Sequence, residues 1–458
     1  MSPDESASWR AASAPSMAAV IYRQAHLRVD ASARGGPIAR AGALRPSAPL
    51  PGKLPIHELL LHGWIALFGS SLAAMRSLSA ALGTLAILLV YGAAREMLAA
   101  DGGAYSSGEA RLAAAMGALI FAVNVVTIKY SRELRMYPLV LAASLAQAAL
   151  FLRAIRRGGI GNYCGVAILT ALAVAANFSA VLLPAAEGLW LLYLVSRARW
   201  RPADAGVRRA FAAAVALALP GIVLAPILFA SLHASAAMTA GGFIKWIEPP
   251  RFYAPIALFN KATGSFAFPV LMALAGWGAI AGWRRGARET IGFALVWMWA
   301  PPLAMLAVSY ALTPIFVERY ALSSFAPFFI LTGIGIAALP GVRWRSIALV
   351  AAVLFSLGHV HGYDRKPHDA QYREAFAAAQ AALRPGDTAV IVPRYAVNVL
   401  RYYYPANPLE PVLLSRDASK ATLIVLGDQH LSRRAAARYR REFPHAVARL
   451  RGVTVLRK

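Results

Sequence analysis

A series of apolar runs, each about long enough to cross a bilayer, limits what this chain can fold into. Leu72–Met97, Leu112–Thr127, Thr290–Leu312 and Arg319–Leu339 are examples. A helix needs roughly 17 to 25 mainly apolar residues to span the hydrocarbon core, and a water-soluble domain has no use for so many such runs. Composition agrees: 59% of the 458 residues are apolar and 15% are charged, against about half and about a quarter in ordinary soluble domains. The pattern predicts an all-α polytopic membrane bundle of about ten transmembrane helices. Its expected spans are 72–97, 111–128, 135–155, 162–178, 180–196, 209–231, 266–283, 290–312, 318–339 and 345–361.

The formal net charge of +26 is placed rather than spread. Arg153, Arg156 and Arg157 follow one apolar run, and Arg197, Arg199, Arg201, Arg208 and Arg209 lie between the next pair. Arg284, Arg285 and Arg288 fill a short loop, as do Arg343 and Arg345. These loops alternate, as they must if all face the cytoplasm under the positive-inside rule. The connections 129–134, 232–265 and 313–317, with both chain ends, then lie outside. Charge so arranged, with no nucleic-acid reading motif, leaves no role for nucleic acid as a partner. The single cysteine, Cys164, sits in an apolar run and rules out an intrachain disulfide.

The chain divides into three parts. Residues 1–71 lack a full span; Pro15–Ala25 and His57–Phe68 read as amphipathic helices lying in the membrane interface, joined by the Pro/Gly/Arg-rich loop Ala33–Leu54. Residues 72–362 form the transmembrane bundle. Residues 363–458 have a soluble pattern: a helix over Asp369–Leu383, strands at Thr388–Pro393 and Thr422–Gly427, a basic helix over Ser432–Phe443 with Ser432 as its N-cap, and a last strand at Gly452–Leu456. Strands alternating with helices predict a small C-terminal α/β domain. It contains no GxGxxG, P-loop or nucleophile elbow, and its basic face suits anionic headgroups.

Charge also appears where a helix bundle has no need of it. Asp4 and Glu5 form one patch. Lys129, Arg132, Glu133 and Arg135, interleaved with Tyr130 and Tyr137, form a second. Glu318, Arg319 and Tyr320 form a third, and Lys53 in the turn Gly52-Lys53-Leu54-Pro55 stands beside them. The bland alternatives are a solvated acidic tail for Asp4-Glu5, snorkelling anchors for Lys129, Arg132 and Arg135, and a local surface pair for Glu318-Arg319. Glu187 lies inside an apolar run, where a carboxylate is functional by default; the alternative, which the sequence favours, is a carboxyl that faces a cavity near mid-span or titrates to neutral. His57 and His62 have no third ligand at a spacing that makes a zinc site.

These residues resemble the GT-C membrane glycosyltransferases, the superfamily that includes the protein O-mannosyltransferases and the lipid A aminoarabinose transferase. Tyr130–Tyr137 is similar to the bacterial members' Tyr-Ser-x-Glu-x-Arg-x-Tyr. Asp4-Glu5 resembles their acidic pair, Lys53–Trp64 their Lys/His-Pro-Pro-Leu-Tyr-Tyr stretch, and Arg319-Tyr320 ahead of Pro327 their Arg-Tyr before a proline-containing span. The resemblance covers essentially the whole chain. It implies an inverting transfer of a sugar from a polyprenyl-phosphate donor to a glycolipid, glycan or protein acceptor at the outer face of a bacterial inner membrane.

The roles that follow are those of the resemblance. Asp4 is the base, supported by Glu5. Lys53, Arg132, Arg135 and Arg319 clamp the donor phosphate, Tyr137 and Tyr320 bind substrate, and Glu133 binds the acceptor or a divalent metal ion. The long loop 232–265, with Lys245-Trp246-Ile247-Glu248, is expected to be a lid. Family members carry a transmembrane helix immediately before the acidic pair, whereas three residues precede Asp4 here. One further span is therefore expected upstream. The rival readings are a flippase or transporter of lipid-linked sugars, which predicts broken helices with charges near mid-membrane, and an inactive membrane scaffold.

Overall fold

The computed structural model describes residues 1–25, 54–198, 204–240, 247–365, 370–392, 396–404, 421–428 and 433–458. The chain forms two compact units: one of Met1–Leu50, Glu58–Leu72 and Asp364–Lys458, the other of Pro51–His57 and Ala73–Tyr363.

The larger unit is helical. Its elements are α4 (Leu72–Leu98), α5 (Ser107–Ala122), α6 (Val125–Arg132), α7 (Tyr137–Arg157), α8 (Ile160–Ala176), α9 (Leu182–Arg197), α10 (Ala205–Ala240), α11 (Ala254–Thr263), α12 (Ala267–Arg284), α13 (Arg288–Ala311), α14 (Phe325–Ala337) and α15 (Gly341–Asp364). Six helical segments are long and apolar enough to cross a membrane, and up to eight if the bent pairs α5–α6 and α11–α12 each count as one span. The expected spans 162–178 and 318–339 fall on the shorter apolar helices Ile160–Ala176 and Leu322–Ala337.

The expected span 111–128 is broken within, and the expected span 266–283 is preceded by a sharp bend, each at an identifiable residue. At Asn124 the chain leaves α5 and starts α6 at an angle of 57°, because the Asn124 carboxamide caps the new helix by accepting from Val126 N at 2.9 Å. At Gly264 the chain turns by 110° between α11 and α12. Its φ of +83° is a conformation that suits glycine, and a Cβ there would run into the His359 ring.

The centre of the bundle is α14, buried all round from Phe325 to Ile336. Glycines let its main chain lie against two neighbours. A Cβ at Gly333 would overlap the Ala113 carbonyl of α5, and one at Gly335 the Leu274 carbonyl of α12. In return, Gly117 and Gly278 admit the carbonyls of Phe329 and Leu331. Small residues at helix crossings serve this purpose in membranes, where dispersion contacts replace the hydrophobic drive. An aromatic cluster joins α7, α9 and α13 through Phe151–Phe293 at 5.8 Å and Trp190–Phe293 at 5.9 Å. Gln147 donates to the buried Glu187 carboxylate at 2.6 Å in the same region.

The smaller unit contains α1 (Pro3–Ala12), α2 (Met17–Ala25), α3 (Ile56–Phe68), α16 (Tyr372–Ala382), β1 (Ala389–Val392), α17 (Val397–Tyr403), β2 (Leu423–Leu426), α18 (Arg433–Glu442), β3 (His445–Leu450) and β4 (Val453–Arg457). The sheet order is β1-β2-β4-β3, with β1 and β2 parallel and the other neighbours antiparallel. Alternate strand residues face opposite ways: Ile391, Leu423 and Val455 pack with Phe376 and Leu400, while Val392, Ile424 and Leu456 pack with Phe443. β1 and β2 are buried along their whole length and read as unbroken apolar runs for that reason. Ser432, the expected N-cap of the basic helix, lies outside the described residues.

Candidate functional site

The tyrosine-rich segment after α5 is held by three polar contacts. Asn124 caps α6 and also donates to the Ala262 carbonyl of α11 at 3.0 Å, so one buried amide fixes both helices. Ser79 of α4 donates to the Glu133 carbonyl at 2.7 Å where α6 ends. Next to it, Gly83 leaves room for Ser131; a Cβ there would overlap the Ser131 hydroxyl.

This framework gathers charge. Glu318, buried in the 3-10 turn Glu318–Tyr320, receives Lys129 of α6 at 3.5 Å and Lys261 of α11 at 2.7 Å. Tyr130 donates its hydroxyl to the same carboxylate at 3.4 Å. Burial alone would raise the Glu318 carboxyl, but the two ammonium groups outweigh it and hold it below the ordinary carboxylate range.

Beside this cluster, Tyr137 lies between two guanidinium groups. Arg135 stands 5.3 Å from its ring centre and Arg319 6.0 Å, and Arg319 also stands 5.7 Å from the Tyr320 ring. The Tyr130 and Tyr137 rings meet edge to face at 5.3 Å. Aromatic faces orient guanidinium groups without neutralising them. The result is two guanidinium groups gathered around one aromatic ring on a half-buried surface, next to the Glu318 cluster.

The residues singled out in the sequence fall into three groups. Arg135, Tyr137, Arg319 and Tyr320 come together as described, with Glu133 half-buried at the end of α6 and Arg132 exposed in its last turn. Asp4 and Glu5 belong to the other unit, inside α1, a helix the sequence pattern did not reveal. Glu5 is buried and closes a capping box: it accepts from Ser2 N at 2.8 Å while Ser2 Oγ accepts from Glu5 N at 3.2 Å. Lys53, Lys245, Trp246 and the side chain of Asp4 lie outside the described residues.

Sequence reasoning missed Lys261 and the part Glu318 plays. The expected lid over 232–265 contains the end of α10 and all of α11. The signal was the apolar stretch Pro255–Phe259 running into Asn260-Lys261. Phe259, fully buried against Trp299, Phe325 and Phe328 at 5.3 to 5.6 Å, anchors that helix. Among the described residues no group of three or more His, Cys, Asp or Glu gathers that could hold a metal ion.

The class this architecture defines is a multi-pass membrane protein with a small α/β unit and a basic, tyrosine-lined cluster at one end of its helices. Its fold is shared with the oligosaccharyltransferase of Archaeoglobus fulgidus. The form solved with Zn and sulfate matches with a TM-score of 0.53 and 14% identity, over 82% of this chain and 59% of that one. AglB in complex with an inhibitory peptide and a dolichol-phosphate matches at 0.52 and 11%, over 83% and 62%. The apo form matches at 0.52 and 13%, over 82% and 62%. This chain thus spans 59 to 62% of the length of those structures. No family model and no curated protein matches the sequence.

Proposed function

We propose that the protein is a GT-C type glycosyltransferase that moves a sugar from a polyprenyl-phosphate donor to a glycolipid, glycan or protein acceptor. The observation that carries this reading is the pair Arg135 and Arg319 on the faces of Tyr137, beside Lys129 and Lys261, in a fold shared with an enzyme solved with a dolichol-phosphate. We assign the working face and the C-terminal domain to the outside of a bacterial inner membrane, on the strength of the alternating arginine-rich loops.

In the proposed reaction the acceptor hydroxyl or amide attacks the anomeric carbon, and its proton passes to Asp4. The bond from that carbon to the bridging phosphate oxygen breaks, and its electron pair leaves with the phosphate. A single displacement inverts the anomeric centre. A lipid phosphate is already a good leaving group, so no general acid is needed at the bridging oxygen. What the departing group needs is fixed positive charge in a water-poor site. Arg135 and Arg319 supply it, with Arg132 and Lys53 as further contacts. Arginine's fork grips two phosphate oxygens, whereas lysine acts as a point charge. Tyr137 and Tyr320 hold the guanidinium groups in place and present their rings to the substrate. Glu133 binds the acceptor or a divalent ion, and Glu5 fixes the helix that carries Asp4.

The test is turnover by the purified full chain in lipid nanodiscs, given polyprenyl-phosphate sugars and candidate acceptors, with release of bare lipid phosphate as the readout. Wild-type release that disappears in Arg319→Ala and Asp4→Asn supports the assignment. Release unchanged in both variants removes it.

A further inference from the structure

A second site lies at the other end of the helices. A cavity of about 300 Å³ opens where the ends of α7, α9, α10 and α13 meet, among the arginine-rich connections. It is lined by Arg156, Arg209, Asp204 and Glu289, with an apolar wall that includes Leu152 and Leu194.

The two arginines are held in different ways. Arg156 is engaged by Glu96 of α4, whose carbonyl accepts from Nη1 at 2.7 Å and whose carboxylate pairs with Nη2. Arg209 donates Nε to the Ile155 carbonyl at 3.0 Å, and its stem lies over Gly158, where a Cβ would come within 3.3 Å of Cδ. This fixes the Arg209 guanidinium through main chain and leaves its Nη groups without a partner among the described residues. The carboxylates are also only partly used. Asp204 accepts from Gly206 N through Oδ1 alone, and Glu289 stands 3.9 Å from Arg197.

A cavity lined only by cations would select a simple anion. Fixed cations, two available carboxylates and an apolar wall at the ends of membrane-length helices fit an amphiphile bearing both a phosphate and an ammonium. Among the described residues, no aromatic ring lines the cavity. A quaternary ammonium is usually held by an aromatic cage, whereas a primary ammonium offers three N–H donors to carboxylates. We propose that this cavity binds a zwitterionic phospholipid with a primary ammonium, of the phosphatidylethanolamine type. Its phosphate would sit on Arg209, its ammonium on Asp204 and Glu289, and its acyl chain along Leu152 and Leu194. The proposal is independent of sugar transfer.

Native mass spectrometry of the full chain, released from micelles with equal amounts of phosphatidylethanolamine, phosphatidylcholine and phosphatidylglycerol of matched chains, tests it. The wild type is expected to retain phosphatidylethanolamine about tenfold over either competitor, the ratio one good polar contact supplies. Arg209→Gln should lower retention of all three lipids together, because each carries the phosphate that Arg209 holds. The double variant Asp204→Asn/Glu289→Gln should turn the preference toward phosphatidylglycerol, which keeps the claim testable if Arg209→Gln does not fold. Soluble phosphoethanolamine at equal concentration should displace none of the lipid; displacement overturns the role of the apolar wall. Equal retention of all three lipids by the wild type, undiminished preference in the carboxylate double variant, or undiminished total retention in Arg209→Gln overturns the site.

Discussion

At the scale of single residues, Glu318 makes the sharpest predictions. Its folded pKa lies below the ordinary carboxylate value, so it contributes stability that is fully present above that ordinary value. The contribution is lost as the pH falls through the lowered folded value. Thermal melts of the wild type should therefore show an acid-side loss beginning below about pH 4.5. Glu318→Gln should remove that component and cost about 1–3 kcal/mol at neutral pH by leaving Lys129 without its counter-charge. Lys261 contributes less, since its side chain is 69% exposed and well screened. The acidic pair yields a different prediction. Glutamine can replace glutamate in a capping box, so Glu5→Gln should keep most of the turnover while Asp4→Asn loses it, measured by lipid phosphate release. If Arg319 grips a phosphate with its fork, Arg319→Lys should recover only part of a loss of about 100-fold seen with Arg319→Ala.

At the scale of elements, apolar length and turn chemistry made most of the helices legible, and β-branched runs revealed β1, β2 and β4. The missed elements lack those signals. α1 is polar along Pro3–Ala12 and declares itself only through its capping box. Val397–Tyr403 is rich in β-branched and aromatic residues, yet forms α17 because it packs on α16 and the sheet. β3 is an exposed edge strand with little apolar alternation. The bends at Asn124 and Gly264 were hidden because hydropathy is blind to a cap or a positive φ. Glycine packing gives a direct check. Gly333→Val or Gly335→Val should cost more than about 3 kcal/mol, beyond ordinary overpacking, because backbone rather than a movable side chain is in the way. Gly276→Ala, inside α12 with open space beside it, should leave the melting temperature unchanged or raise it slightly.

At the scale of the whole molecule, two units with separate cores imply two unfolding transitions rather than one. Phe376→Ala, at a fully buried site against the sheet, should lower one transition by about 3–5 kcal/mol in calorimetry and leave the other in place. Orientation can be read with a membrane-impermeant thiol reagent on intact cells after Cys164→Ser. Under the proposed topology Lys261→Cys is labelled and Arg285→Cys is not. The candidate site was half legible for a physical reason. Its arginines and tyrosines form one continuous motif plus Arg319-Tyr320, whereas Lys261 reaches Glu318 only through the fold of α11.

The main-chain contact of α5, α12 and α14 has a mechanical consequence. Helices that touch backbone to backbone have no side-chain layer to slide on, so this trio forms a stiff keel. Any opening that admits a bulky substrate into the helical unit must then come from parts outside the keel. The short helix α11 is fastened to that keel through Phe259 and to its neighbours through Asn124 and Lys261, so it shares the keel's stiffness.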